Sequence, residues 1–399
     1  MIRRAALVVA VLVAVLVPAT KSSALVTFSA GTRFTDGAPL CGVAAAPIGA
    51  TAVTDDGVLK VATLNLLHSE TDEGDRSLGE RLPLLADAIA QSGADIVGAQ
   101  EVARNVDFDA KSEYPQRHGL VVSRFAAAIA TRTGQSWQWC WSRSNPHVPL
   151  SPDVQVGGGN ALDDLAAQLG NFPDSGSFSE GVAILTRFKI SASKFRRMLP
   201  RSYEAPFCLS GSPFCPLDAN FDSRQVLWAR VITPRGGGVD MFTTHIAHGL
   251  TQLSTATKQL QVRQAIEVTR RWATPDALPD FLVGDFNSSP ESAAMRTMRV
   301  GGFVDTFSYA DGAECTAART GACSGGPTDG QETYTKGQTR SMSERIDYVL
   351  ARRPVGCHLS VADSHLIANT PTRRTDGRWT WPSDHYGFVS TVSTNCALS

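Results

Sequence analysis

From residue 58 onward, short apolar β-branched runs alternate with helix-patterned stretches, and run after run stops at a side chain able to bind an ion or move a proton. That rhythm excludes an all-helical bundle and a fibrous chain, and it points to an α/β domain with strands as its core. The run 58–65 closes on Asn65. Leu82, Leu85, Ala86 and Ile89 then fall at helical spacing, and Gly93 stops that helix. The run 95–101 reads as a buried strand ending in the carboxylate of Glu101. Val122, Phe125, Ala126 and Ile129 mark a second helix, stopped by Gly134. Further strands are expected at 181–186, 226–232, 239–244, 281–284, 346–350 and 386–392, with a helix around Val262, Ala265, Ile266 and Ala273. Residues 142–179 and 308–342 read as long polar loops, and Gly157-Gly-Gly159 as a flexible turn lacking the Lys-Ser/Thr of a phosphate cradle. There is no internal repeat and no linker between two cores, so one domain is expected.

Lys+Arg 37 against Asp+Glu 38 leaves a net charge of -1 over 399 residues, which argues against a basic nucleic-acid-coating protein and against an acidic tail protein. With 43% hydrophobic and 19% charged residues, the chain can bury a large core. Arg3 and Arg4 precede an apolar run at 5–19 and then Ser22-Ser23-Ala24, the pattern of a secretion signal over 1–24; a retained membrane anchor is the alternative. Residues 25–57 read as an extended lead-in tied by Cys41, and 58–399 as the catalytic domain. Eight cysteines, with no Cys-x-x-Cys pair, suit an oxidising compartment and not structural zinc. Cys208 with Cys215 and Cys315 with Cys323 lie close enough to staple local loops. Cys41 with Cys140 and Cys357 with Cys396 would then be the long-range pairs, among many connectivities.

The strand-end residues form an oxygen-rich set: Asn65, Glu101, His245, Asp285, Asn287, Asp347, Asp384 and His385. Hard oxygen donors suit Mg²⁺ or Mn²⁺, and two histidines handle protons near neutral pH. A covalent serine nucleophile has no support, since no Gly-x-Ser-x-Gly elbow occurs. Thr63-Leu-Asn65, Gln100-Glu101, Thr244-His245, Gly284-Asp285-Phe286-Asn287, Arg345-Ile-Asp347-Tyr348 and Ser383-Asp384-His385 follow one another in an order that resembles the endonuclease/exonuclease/phosphatase superfamily, over roughly residues 58–392. The resemblance implies a four-layer sandwich of two packed, mixed but mostly antiparallel sheets flanked by helices, with the site at one edge. It implies Glu101 as principal metal ligand beside Asn65, with Asp384 as a further ligand. It makes Asp285 the group that polarises the attacking water or a second metal, and Asn287 the holder of the scissile phosphate. His385 becomes general base or phosphate-binding histidine, oriented by Asp347, and His245 the second catalytic histidine.

The activity expected is a secreted, Mg²⁺- or Mn²⁺-dependent phosphoesterase acting as a monomer on extracellular nucleic acid or phospholipid. A non-catalytic binding protein on the same scaffold, or a small-molecule phosphomonoesterase, is the alternative. Arg373, Arg374 and Arg378 could contact phosphate or a membrane headgroup, Arg224 could face the site, and Phe207, Leu209 and Phe214 could form an apolar tip. His248 reads as a loop histidine, and His68 as a surface or site-approaching one. Trp137, Trp139 and Trp141 alternate at strand spacing and read as packing on one face.

Overall fold

The computed structural model describes residues 37–46, 58–67, 78–106, 119–146, 179–198, 224–234, 237–249, 252–274, 279–310, 326–330, 334–335, 337–353 and 357–396. The expected signal, the Cys208–Cys215 and Cys315–Cys323 loops, Gly157-Gly-Gly159 and His68 lie outside them. Among the described residues no helix is long and apolar enough to cross a membrane.

Two large sheets dominate. The first runs in the order β1 (Leu40–Ala44), β6 (Trp137–Pro146), β7 (Ser179–Thr186), β3 (Ile96–Gln100), β2 (Val58–Asn65), β18 (Gly387–Cys396) and β15 (Cys357–Ile367), with β4 (Arg104–Val106) and β5 (Gly119–Leu120) attached at β7. The second orders β12 (Val304–Asp305), β14 (Asp347–Arg352), β11 (Asp280–Asp285), β10 (Gly238–His245), β9 (Gln225–Ile232) and β8 (Lys189–Arg197). A small third sheet joins β13 (Tyr334–Thr335), β17 (Trp379–Thr380) and β16 (Thr372–Arg373).

Alternation along the central strands sorts apolar side chains onto two faces. Val61, Ile96, Ile184, Leu227, Met241, Phe281 and Val283 meet in a core between the sheets. Their neighbours Ala62, Val97 and Leu185 point the other way. There they pack under α1 (Leu78–Ser92) and α2 (Val121–Thr133), through Leu82, Leu85, Ile89, Phe125 and Ile129. On the second sheet, Phe242, Leu282 and Leu350 turn outward to Val262, Ile266 and Met295 of α3 (Gln252–Trp272) and α4 (Ala293–Val300). A single turn, α5 (Thr306–Tyr309), follows β12. Helix, sheet, sheet, helix is the four-layer α/β sandwich expected.

Gly93 and Gly134 end α1 and α2 with φ of +67° and +65°, as their positions in the sequence indicated. Trp137, Trp139 and Trp141 are buried on one face of β6, against the helices. Several elements were not legible. Within the lead-in, Leu40–Ala44 form strand β1, which pairs with β6 and is bonded to it through Cys41–Cys140. Gly37, just before it, exchanges backbone hydrogen bonds with Phe195 of β8 in the other sheet. β6 continues to Pro146, into the span read as loop from 142, and β13 lies inside the span 308–342. Cys357 is disulfide-bonded, and the β15–β18 register sets Cys396 across from it.

The sheets approach closely at Gly98 on β3. A β-carbon there would stand 2.2 Å from Val283 Cγ2 and 2.9 Å from Thr243 Oγ1. Gly98→Ala is therefore expected to destabilise the fold by about 1–3 kcal/mol through overpacking. A urea midpoint unchanged from the parent protein would contradict that close contact.

Candidate active site

Almost all strand pairs are antiparallel, but among the described residues two are parallel: β2 with β3, and β10 with β11. Parallel neighbours end on the same edge of a sheet. The register therefore places Asn65 beside Gln100, with Glu101 next, and His245 beside Asp285. β14 starts at Asp347, opposite Asp285, and β18 starts two residues after His385. Six strand ends thus deliver the polar set to one place.

Asn65 is fully buried and bridges the two sheets. Its Nδ2 donates to Glu101 Oε1 at 3.0 Å and to Asp285 Oδ2 at 3.2 Å, while its Oδ1 accepts from Leu67 N at 3.0 Å. Asp285 Oδ1 accepts from Asn287 N at 2.7 Å. Asn287 Nδ2 in turn lies 3.2 Å from His245 Nε2 and donates to Ile246 O at 3.0 Å. His245 Nε2 is 3.4 Å from Asp285 Oδ2. His385 Nδ1 is 2.8 Å from Asp347 Oδ2. Asp384, half-buried, has its Oδ1 3.2 Å from Ser383 Oγ. Glu101 and Asn287 sit at φ of +54° and +46°. Left-handed backbone outside glycine is held only where the surroundings enforce it, and it collects at working sites. Gly284 has φ +152°, and a β-carbon there would meet the Thr244 carbonyl at 2.0 Å, so the residue before Asp285 must be glycine.

Burial first, and the Asp347 charge second, push the Asp285 carboxyl up to about 8. Burial also raises Asp384, against the opposing charges of His385 and Arg81. The two histidines are driven apart. Burial and the Arg224 charge hold His245 well below its usual value of 6.5. For His385 burial pulls downward, but Asp347, Asp384 and Asp285 outweigh it and hold the ring well above 6.5. Such a split separates a neutral from a protonated imidazole at neutral pH. An imidazole titration followed by NMR is expected to find His245 neutral and His385 protonated at pH 6.5; the reverse order would remove the assignment. The linkage has two signs. Stability contributed by His385 is complete below about 6.5, the unfolded value, and lost as pH rises through its raised folded value; protonating His245 removes stability as pH falls below about 6.5.

The donors fit a divalent cation. Asp285, Asp347 and His385 each offer a ligand atom within 4.8 Å of the others. Among the described residues, Asp347 Oδ1 is buried without a hydrogen-bond partner. Glu101, Asn65 and Asp384 stand around this cluster. The sequence set is thus brought together, with two differences of emphasis. Asn65 acts through its amide as a bridge, and the tightest ligand cluster is the Asp285–Asp347–His385 group. Arg224 is buried and close enough to act on His245. Arg373 is exposed on β16, whereas Arg374 is ion-paired with Glu80 and lies 3.6 Å from Asp376. His248 is exposed. Residues that the motifs did not single out complete the frame. Lys258 Nζ donates to Asn287 O at 2.6 Å, and Thr328 Oγ1 accepts from Asp347 N at 3.2 Å. Neither carries a sequence signal.

No curated protein sequence matches the chain. Solved structures do. A Leptotrichia buccalis C-1013-b endonuclease/exonuclease/phosphatase family protein is similar at 18% identity and TM-score 0.50, over 84% of this chain and 99% of that one. A family protein from Bacteroides thetaiotaomicron gives 18% and 0.52, over 84% and 98%. The mannosyl-6-phosphatase Bt3783 of Bacteroides thetaiotaomicron VPI-5482 gives 17% and 0.51, over 84% and 99%. At these identities the likeness is one of fold. The sequence profile of the Endonuclease/Exonuclease/phosphatase family matches residues 62–385, from strand β2 to His385 itself. The chain therefore belongs to the endonuclease/exonuclease/phosphatase family, a family of phosphoester hydrolases.

Proposed function

We propose that this chain is a secreted, divalent-cation-dependent hydrolase of phosphodiesters, cleaving by direct attack of water. The observation that supports this best is the split pair of histidines around Asp285, at the one edge where the strand ends converge. A cation held among Glu101, Asn65, Asp384 and the Asp285–Asp347 carboxylates would supply positive charge to the phosphoryl oxygens. The chain's own residues do the rest. Asp285, held by the Asn65 amide and the Asn287 backbone N–H and 3.4 Å from His245, is the carboxylate placed to accept the proton of the attacking water. Neutral His245, 3.4 Å from that carboxylate, and the Asn287 side-chain amide, 3.2 Å from His245 Nε2, orient the water and a phosphoryl oxygen without adding negative charge. His385, kept protonated by Asp347, presents Nε2–H to the developing negative charge and can give that proton to the leaving oxygen. Thus His385 acts here as phosphate-binding acid and not as base.

The signal pattern at 1–24 and the Cys41–Cys140 bond support an extracellular place of work. Plasmid DNA, sphingomyelin vesicles and p-nitrophenyl phosphate, offered side by side to the mature protein in Mg²⁺ or Mn²⁺, test the reading. Turnover of a diester, abolished by chelator and restored by metal, is the expected result. Preference for the monoester would mark a small-molecule phosphatase. Inactivity on all three would overturn the hydrolase reading and favour a binding protein on the same scaffold.

A further inference from the structure

The stretch 381–385 carries Asp384 and His385 yet belongs to no long strand, so something outside it must fix its height against the sheet edge. Two arginines from opposite directions do so. Arg81, on α1, is fully buried. Its guanidinium donates to Leu66 O at 2.6 Å, Leu67 O at 2.7 Å and Pro382 O at 3.0 Å. It thereby ties the segment following Asn65 to the segment preceding Asp384. Arg340 comes from the 337–346 segment. Its Nη1 donates to Ser383 O at 2.6 Å, and its guanidinium lies 4.6 Å from the Trp381 ring centre and 4.5 Å from that of Tyr386. Consecutive carbonyls, Pro382 and Ser383, are thus gripped from two sides. Between the grips, Ser383 Oγ donates to Asn65 O at 2.7 Å and accepts from His385 N at 3.2 Å.

Holding up a loop would not by itself call for two part-buried or buried cations. Burying a guanidinium among carbonyls carries a desolvation penalty that an aliphatic side chain avoids. Charge accounts for the choice: Asp384 feels the field of both arginines. A fork of fixed N–H directions also sets carbonyl positions as a flexible ammonium does not.

We propose that Arg81 and Arg340 are positioning residues, a two-sided clamp on the 382–383 backbone that sets where Asp384 and His385 stand. The proposal rests on the hydrolase reading for its kinetic consequence, though not for its geometric one. Arg340→Met keeps bulk against the two rings and removes the donors and the charge. It is expected to lower kcat by about 10–100-fold, as loss of a supporting contact typically does, with KM little changed. Arg340→Lys should recover part of that loss, and the thermal midpoint should stay near the parent value. The downfield proton of the His385 Nδ1–H···Asp347 hydrogen bond, assigned with His385→Gln, should shift or broaden in Arg340→Met. Arg81→Lys should disturb the same proton; if that variant does not fold, Arg340 alone decides.

An unchanged kcat together with an unchanged His385 proton would overturn the clamp. A rise in KM with kcat intact would also overturn it, and would make Arg340 a substrate contact. If the parent protein hydrolyses nothing, the imidazole proton still separates the two ideas. Its disturbance in Arg340→Met keeps the clamp while the hydrolase reading falls, and its persistence removes the clamp as well.

Discussion

Asp285→Asn is expected to abolish most phosphoester turnover while making the folded protein more resistant to heat. In the proposed mechanism the carboxylate takes the proton of the attacking water, and losing a positioned base typically lowers rate by about 10²–10⁴-fold. Stability moves the other way because Asp285 is buried beside Asp347 and its pKa is pushed up to about 8. The amide keeps the acceptor that Asn287 N requires and sets an N–H where His245 Nε2 can receive it, at the cost of the acceptor that Asn65 Nδ2 has in Oδ2. Removing repulsion of this kind from a working site commonly stabilises by about 0.5–2 kcal/mol. A thermal scan without metal, paired with turnover in metal, reads both signs. Retention of more than about a tenth of the parent rate would remove Asp285 from the proton-handling role, since even the weakest such loss exceeds that. A fall in the thermal midpoint would show that its hydrogen bonds outweigh the repulsion.

That site was legible because each of its members lies at, or within three residues of, the end of a strand whose own pattern is plain. Runs such as 239–244 and 281–284 are buried on both faces in the second sheet, so apart from Asp240, which Arg230 pairs, their residues are apolar or small until the polar end. β8 hides for the opposite reason. It lies at a sheet edge, and its sequence Lys-Ile-Ser-Ala-Ser-Lys-Phe-Arg-Arg shows little alternation because little of it is buried. β15 has a register shift between Val361 and Asp363 that breaks its period of two. Arg81 sits on the apolar face of an amphipathic helix, where its charge reads as an outward-facing residue until Leu66, Leu67 and Pro382 are seen around it. Spacing also could not report that Asn65 reaches Asp285 across 220 residues, since that contact depends on how two sheets pack. The Cys41–Cys140 bond is one of the two long-range pairings suggested by the sequence, where spacing left many other connectivities open.

Breaking Cys41–Cys140 is expected to lower stability by about 2–5 kcal/mol, the range for a native bond closing a long loop. The bond spans 99 residues, and its cysteines face each other across β1 and β6. Its reach is greater than one strand pair suggests. The segment from Gly37 to Ala44 is bonded to β8 of the second sheet at one end and to β6 of the first at the other, so it straps one open side of the sandwich. The double variant Cys41→Ala/Cys140→Ala, compared with the parent in a urea titration, measures the effect. A midpoint unmoved by the double substitution would mean that the strap peels away before the sheets separate.

The two parallel strand pairs carry a consequence for how the protein comes into being. Neither half of the site is local: one half hangs from the first sheet, the other from the second, and Asn65 joins them to Asp285 over a separation of 220 residues. Either sheet could therefore form, with its helices in place, and leave the protein inert. Catalysis begins only when the layers dock, so during refolding the return of activity reports the last long-range closure, whereas the return of helix and strand signal reports the earlier, nearer ones.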